Sequence, residues 1–594
     1  MKTIKNSLLL ITLLFLNSIS LMAQQKVSQN ENIGNFIQVW GLVKYKSAKS
    51  ISGNFDADKI FLSLIDSVKK ADERQFNQIM LKLISDSVRV PTNYNKSDSY
   101  RYFQKNVSFG WINGKGYNNA VRKQLTALSN AANISGKHHY IPTVWYEGDL
   151  PNEENYANYA FNEEDMNLLA LAKAWNAIEY LFPYKYVMGR NWKDVLRKMI
   201  PVFRQVKNRA GYEKSILILA ESINDTHAGE FMESGNMKMV NAIFDMKYYP
   251  PFEYKAEPNG IIVRNFLNDS LANSSTLKKG DVIVTINGKK IKQWLEERAV
   301  LLPASNEAVK YRLLSESDND RGDTFAFSHL ESPVLNLEVN RDGTLLNLQV
   351  VLLDRQNKSA IKLIENHIVS KRAKEKSISG KENIGADIAL IRAGNFFEKD
   401  LPAKKDLGQF AAELRSKKAI ICDMRKYPQA PGLFSYYLPN ALGKAPFVFA
   451  RYYSAYLNDP GVFKLREAVE DYMYMPKDGS KPTGALYTGK IIILTDENTQ
   501  SMGEWFCMML RQLNNNTTVI GSQTAGADGD VRRLTLPGSY NFSFTGNGIF
   551  YPDGKETQRI GIVPDIYFKP SAKQLTLSED PLLDRALKYI REGR

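Results

Sequence analysis

The sequence is poor in the residues that build metal centres and disulfide frameworks. Two cysteines in 594 residues exclude a disulfide scaffold and a Cys-rich zinc module. The five histidines, His138, His139, His227, His329 and His367, include no HExxH pair. A histidine-built metal site is therefore not expected, and any catalytic histidine comes from a short list. No metal or organic cofactor is implied. Basic residues outnumber acidic ones, 78 to 64, for a formal charge of +14. They form no dense block of the kind a nucleic-acid footprint needs. Beyond the N-terminus no run is apolar enough to span a membrane. What remains, 43% hydrophobic and 24% charged residues, is an ordinary globular composition for a chain of about three to five domains.

Lys2 and Lys5 precede an apolar run from Leu8 to Leu16, and Asn17 to Ala23 follow. That order of charged, apolar and small-polar regions is that of a secretory signal peptide, with cleavage expected after Ala23. The run is shorter than the roughly 20 residues of a spanning helix. A periplasmic or secreted protein without stable membrane insertion is expected, and no motif speaks to its oligomeric state.

An internal repeat follows. Trp40 and Tyr45 in the first copy match Trp175 and Tyr180 in the second at the same spacing, and Phe55 matches Trp192. Apolar residues recur every three to four positions in both, so each copy reads as a small antiparallel helical module. Asp86-Ser87-Val88 closes the first copy where Asp225-Thr226-His227 closes the second. The histidine thus stands where the duplicate manages with valine. Between the copies lies an Asn-, Ser- and Gly-rich stretch with a linker near Leu150 to Asn162, in which His138 and His139 read as exposed loop residues.

From about Tyr248 short β-rich runs alternate with glycine turns. Lys279-Gly280-Asp281-Val282-Ile283 and Ile286-Asn287-Gly288-Lys289 resemble the "GD.I..ING" signature of a PDZ domain. The Asp342-Gly343 hairpin supplies its closing strands, and 292–333 is a helical insertion. Such a domain accepts an extended peptide at its sheet edge, unless its groove is occluded.

The last 220 residues or so alternate strand and helix in the order of an α/β sheet, whose ligand groups collect at strand carboxyl ends. Asp423 to Pro428 and Asp496 to Ser501 occupy two such ends. Ser501 opens an apolar helix, beside unpaired backbone N–H groups and the positive end of the helix dipole, which favour alkoxide and oxyanion character. Ser501-x-x-Glu504 is equally a capping box. Cys422 and Cys507 lie in apolar runs and read as buried, inert thiols.

The ordered set of PDZ signature, Asp423-x-Arg425, TDENTQSMGEW, VIGSQTAGADG and Gly561-Ile562-Val563-Pro564-Asp565 resembles the serine peptidases that include C-terminal processing proteases and the tricorn core. The resemblance covers about residues 165–570. It implies a crotonase-like spiral α/β catalytic domain with Ser501 as nucleophile. One branch takes a lysine from a T-x-G-K-G segment, but here Ala527 stands at that place. The tricorn-like branch takes a histidine from a D-S/T-H motif, matched by Asp225-Thr226-His227. Histidine titrates near neutral pH and can take the serine proton and return it. The resemblance orients the base through Thr226 and a glutamate, whose place Gln558 takes, with Glu556 two residues away. The candidate oxyanion donors are the amides of Met502 and Gln429, since Pro428 has none. Asp423 and Arg425 read as a structural pair.

The expected organisation is a signal peptide (1–23), an N-terminal helical module with an irregular linker (24–160), a second helical module carrying His227 (161–245), a PDZ-like domain (246–356) and an α/β serine peptidase domain (357–594). The expected function is peptide-bond hydrolysis on protein or peptide substrates. The alternative is a weak or inactive peptidase fold that binds peptides or an apolar ligand.

Overall fold

The computed structural model describes residues 29–85, 98–106, 108–133, 135–143, 148–229, 237–316, 322–442, 448–466 and 486–593. The expected signal peptide and Val88 lie outside the described residues. Two compact units emerge. Unit 1 joins residues 1–222 to segments 454–464 and 532–546, and unit 2 holds 223–453, 465–531 and 547–594. The boundary after Ser222 assigns His227 to unit 2. No described helix is long and apolar enough to cross a membrane.

Unit 1 contains the duplicated helices: α1 (29–46), α2 (Ala57–Lys70) and α3 (Glu73–Ser85) in the first copy, and α4 (Glu164–Leu181), α5 (Trp192–Arg204) and α6 (Arg209–Glu221) in the second. Side-chain caps on Asp56, Asn191 and Asn208 hold the starts of α2, α5 and α6, satisfying amides that a helix leaves open. The copies use one fastening: the Trp40 indole donates to the Ala57 carbonyl at 2.8 Å, and the Trp175 indole to the Trp192 carbonyl at 2.9 Å. Ala57, not Phe55, is therefore the counterpart of Trp192. Asp86 and Ser87, like Val88, lie outside the described residues; in the second copy Ser222, Ile223 and Asn224 separate α6 from Asp225.

Four buried groups show why the linker is ordered. Glu153 sits between Lys44, at 2.6 Å, and Lys173, at 3.0 Å, and Asp58 also pairs with Lys173. Buried lysines persist only with such partners. His138 is buried as well, contrary to the exposed loop expected. Its Nε2 lies 3.0 Å from the Tyr45 carbonyl and its Nδ1 accepts from the Tyr140 amide. Burial pushes its imidazole down to about 4, so it stays neutral at physiological pH.

Unit 2 holds two sheets of six strands each. The first contains β1 (Phe252–Glu257), β2 (Gly260–Phe266), β3 (Val282–Ile286), β4 (Val334–Arg341) and β5 (Thr344–Val351) in that spatial order, all antiparallel, with a short strand on β3. The last two form the expected hairpin: Asp342 and Gly343 have φ of 47° and 88°, both positive as a tight hairpin turn requires. Helices α7 (Ile291–Ala299) and α8 (Glu307–Leu314) are the insertion. The outer edge of β1 is partly taken. Ala256 N–H donates to Ser315 Oγ at 2.9 Å, and Glu316 N–H donates to the Tyr254 carbonyl at 3.3 Å. The chain's own residues after α8 thus cover groups an added peptide strand would use.

The second sheet runs β6 (Lys381–Ile384), β7 (Ile388–Arg392), β8 (Ala419–Asp423), β9 (Lys490–Thr495), β10 (Thr517–Gly521) and β11 (Ile566–Tyr567); only β6 is antiparallel to its neighbour. Ile421, Ile492, Leu494 and Ile520 form its core with Leu582 and Ala586 of the C-terminal helix. Apolar side chains on successive central strands leave only the strand ends for polar chemistry.

In unit 1, a Cβ on Gly41 would lie 1.7 Å from Asn176 Oδ1, and the Asn176 amide donates to Ile37 and Ala172 carbonyls. Gly41→Ala should destabilise the protein by about 1–3 kcal/mol, the usual cost of over-packing, in urea or thermal unfolding. A second substitution, Asn176→Gly, should return part of it; wild-type stability for Gly41→Ala would show that these helices do not meet this closely.

Candidate active site

The turn after β9 places Ser501 at a strand carboxyl end, where helix α9 (Met502–Arg511) begins. Thr499 Oγ1 fixes this turn by donating to the Met424 carbonyl, just beyond β8, at 2.9 Å. Ser501 itself has φ 55° and ψ −120°. A side-chain-bearing residue in such a region costs on the order of 1–3 kcal/mol and persists only where its surroundings impose it.

Glu504 imposes it. Its carboxylate is 1% exposed and accepts from Gly526 N–H at 2.7 Å, Ala527 N–H at 2.9 Å, Ser501 N–H at 3.3 Å and the Thr524 hydroxyl. Ser501 N–H also donates to the Ala527 carbonyl at 3.0 Å. Burial raises the Glu504 carboxyl, and the Thr524 hydroxyl and the three amides pull it back down. The capping half of the Ser501-x-x-Glu504 pattern is therefore present, and it extends to a second loop. Thr524 Oγ1 also accepts from Ile562 N–H at 2.7 Å, so its single proton goes to Glu504. Gly561, the glycine of the GIVPD segment, must approach this pair closely. A Cβ there would meet Thr524 Oγ1 at 2.1 Å and Glu504 Oε1 at 2.9 Å, at a φ of 73°.

The two oxyanion candidates part company. Among the described residues the Met502 amide has no acceptor. The Gln429 amide is already donated to the Ala393 carbonyl at 3.1 Å, because the segment after β8 folds back on the end of β7. Gln429 is therefore not an oxyanion donor.

Thr226 and His227 lie in a buried 3₁₀ turn, Thr226–Gly229. His227 N–H donates to Asp225 Oδ1 at 3.3 Å, and its Nδ1 lies 3.9 Å from the same oxygen. Thr226 is clamped to Ser305: Thr226 N–H donates to Ser305 Oγ at 2.9 Å, Ser305 N–H donates to Thr226 Oγ1 at 3.0 Å, and the two hydroxyls are 2.8 Å apart. Ser305 and Asn306 in turn hold the loops around Ser501. Asn306 Nδ2 faces the carbonyls of Thr524, Ala525 and Arg559 at 2.8, 3.0 and 3.2 Å, and Arg559 Nε donates to the Ser305 carbonyl at 3.1 Å. Three segments thus link the histidine turn to the nucleophile turn. Neither Ser305 nor Asn306 belongs to a sequence motif.

Gln558 is 2% exposed, and neither its amide oxygen nor its nitrogen has a hydrogen-bond partner among the described residues. Glu556 is half-buried and bridges to Phe550. Ala527, at the place of the lysine of the other branch, is fully buried and packs with Ala304, Val309 and Ala525. Arg425 pairs with Asp423 through Nε and Nη2 at 2.9 and 2.7 Å and reaches Asp580 with Nη1 at 3.0 Å, the structural pairing expected. Both cysteines are free and buried, and burial pushes Cys422 up to about 12 and Cys507 well above the usual thiol range. Neither is a thiolate nucleophile.

Burial raises two further acids. Asp496 is pushed up to about 7, with the adjacent Glu497 adding to the effect, while Lys255, 2.6 Å from Glu497, helps hold that partner low. A cavity of about 700 Å³ has Thr226, Lys255, Arg312, Asp496 and Ser522 in its wall, but not Ser501 or His227. Asp528, 3% exposed, is raised by burial and then by Glu504, and its Oδ2 has no hydrogen-bond partner among the described residues.

A carboxyl whose folded pKa exceeds its unfolded value favours folding fully only below the unfolded value, about 3.9 for aspartate, and loses that contribution as pH rises toward the folded value. Asp528→Asn should therefore leave stability near pH 4 little changed and raise the melting temperature at pH 8 by at least about 2 °C. Melting curves across that range decide it, and a lower melting temperature at pH 8 would show that Asp528 is held as a needed carboxylate. Gly561→Ala should destabilise toward the upper end of the roughly 1–3 kcal/mol range for over-packing, measured by urea unfolding.

Residues 450–568 match the family model "Peptidase family S41", and residues 252–307 match the model "PDZ domain". A Chlamydia pneumoniae protein, CPj1016/CpB1054, is 32% identical over 107 residues, which are 18% of this chain and 17% of that protein. Among solved structures, mature CPAF aligns at a TM-score of 0.50 and 14% identity over 73% of this chain and 99% of that one. A photosystem II D1 C-terminal processing protease aligns at a TM-score of 0.33 and 12% identity, covering 69% of this chain and 98% of that one. The segment carrying Ser501 thus matches the peptidase family S41 model, and a segment that matches the PDZ model precedes it in the chain.

Proposed function

We propose that this protein is a serine peptidase that cleaves proteins or peptides of the cell envelope through an acyl-enzyme on Ser501. The observation that carries the reading is the strained Ser501 at the start of a buried helix, a conformation that presents a hydroxyl beside open helix amides. Ser501 Oγ attacks the scissile carbonyl carbon while His227 accepts the hydroxyl proton. Met502 N–H stabilises the oxyanion. The amide bond then breaks, His227 gives its proton to the leaving amine, and water, activated by the same imidazole, releases the acyl group and restores Ser501. Thr226 holds the histidine turn through Ser305. Gln558 and Glu556 are the candidates for orienting the imidazole, and Gln558 is the more deeply buried. The envelope location rests on the N-terminal signal pattern. The run of parallel strands from β7 to β11 supports a crotonase-like arrangement.

A fluorophosphonate probe should label the wild type at one residue, Ser501, and leave Ser501→Ala unlabelled. His227→Ala should keep its fold and lose labelling rate by at least about 10³-fold. Labelling that persists in Ser501→Ala would remove the nucleophile assignment.

The two unpartnered polar atoms of Gln558 favour a second reading, since an uncharged orienting group gives imidazolium less support than a carboxylate. In that reading the protein binds peptides without turnover. Peptide affinity unchanged in Ser501→Ala, with no cleavage by the wild type, is its signature.

A further inference from the structure

Helix α8 belongs to the insertion of the PDZ domain, yet its contacts run to the peptidase loops. Asn306 caps it: Val309 N–H donates to Asn306 Oδ1 at 3.0 Å. The other end of the same side chain faces three carbonyls, those of Thr524, Ala525 and Arg559. Thr524 is a ligand of Glu504, Ala525 N–H donates to the Thr499 carbonyl at 2.9 Å, and Arg559 N–H donates to the Gly526 carbonyl at 2.7 Å. One residue earlier, Ser305 is fully buried and clamps Thr226. Two turns later, Arg312 donates from Nη1 to the Glu497 carbonyl and from Nη2 to Gln500 Oε1, both at 2.9 Å. Gln500 immediately precedes Ser501. Every segment carrying a candidate catalytic group is therefore tied to Ser305–Arg312.

We propose that Asn306 is a positioning residue, which together with Ser305 sets the His227 turn against the Ser501 turn, and that α8 is the strut joining them. The inference rests on the peptidase reading for its consequence in catalysis. The chemistry is specific to an amide. Its two N–H groups are shared among three acceptors, none of which can donate, while its oxygen must accept from the helix. Aspartate satisfies the cap and repels the carbonyls. Serine satisfies the cap and is too short to reach them.

The test uses full-length wild type, Asn306→Asp and Asn306→Ser. Fluorophosphonate labelling at Ser501 should slow in both variants by about 10-fold to 10²-fold, the range a displacement of the order of 1 Å produces, with helical content by circular dichroism unchanged. In Asn306→Asp the ratio of variant to wild-type rate should rise as pH falls, because a protonated carboxyl regains a donor. The imidazole signal of His227, assigned by its loss in His227→Ala, should shift in both variants while that of His138 stays in place. Wild-type labelling rates together with an unmoved His227 signal would overturn the proposal. Should wild type itself take no label, the peptidase reading falls, and the His227 signal still decides whether Asn306 positions that turn: a shift supports the strut and its absence refutes it. If Asn306→Asp fails to fold, Asn306→Ser carries both readouts.

Discussion

The site depends on one buried carboxylate. Removing Glu504 from water is costly unless its oxygens are fully used, and here four donors converge on them: a hydroxyl and three backbone amides. Charge-assisted bonds of this kind are among the stronger ones in proteins, and they run in a fixed direction. The three amides cannot turn into acceptors, and the Thr524 hydroxyl already accepts from Ile562 N–H while it donates to Glu504. An isosteric glutamine would set its own N–H groups against two of them. The carboxylate also fixes the strained Ser501 through its amide, so the strain is held by a charge rather than by packing alone. The glycine at 561 follows from the same centre, because a Cβ there would press on both the Thr524 hydroxyl and the Glu504 carboxylate it bonds.

Seen from that carboxylate, the legible part of the sequence becomes coherent. TDENTQSMGEW, the Thr524–Gly526 segment and GIVPD read as three separate marks of a resemblance. In the structure they are the carboxylate, its donors and the glycine that leaves room for both. Short motifs and strand periodicity are local properties, so they survive in the sequence. Contacts set by tertiary pairing do not. The amide of Gln429 looks available because its neighbour is proline, yet the fold-back onto Ala393 uses it. His138 carries the loop composition of its surroundings and is nonetheless buried by Tyr45, a residue 93 positions away. Ser305 and Asn306 meet partners 79 and 218 or more positions distant, and nothing in their own neighbourhood marks them.

The PDZ domain illustrates how a recognised fold can acquire a different mechanical duty. Strand addition needs a free edge on β1, and Ser315 and Glu316 take two of its backbone groups. The helix that delivers those residues is also the one that grips Gln500 and the Thr524 loop. Covering the edge and holding the peptidase loops are consequences of a single placement of α8. A peptide adding along the whole of β1 would have to displace the residues that follow Arg312, and the domain cannot do that independently of the nucleophile turn.

Charge explains the remaining features of the site. An oxyanion forming beside Met502 would be opposed by any carboxylate near it, and the low-dielectric interior magnifies that opposition. Burial raises three acidic side chains around the Ser501 turn, Glu504, Asp496 and Asp528, while Lys255 helps hold a fourth, Glu497, low. Of the three raised acids, Glu504 is the one with four donors on its oxygens. The orphaned oxygen of Asp528 suits a protonated acid. Gln558 follows the same logic. Its neighbour Arg559 bonds Gly526, which bonds Glu504, so a glutamate at 558 would bring another negative charge toward a region that already holds one in place by four bonds. An amide there avoids that repulsion and, in the proposed mechanism, gives up some support for an imidazolium at His227, so the two electrostatic effects oppose each other at this one position.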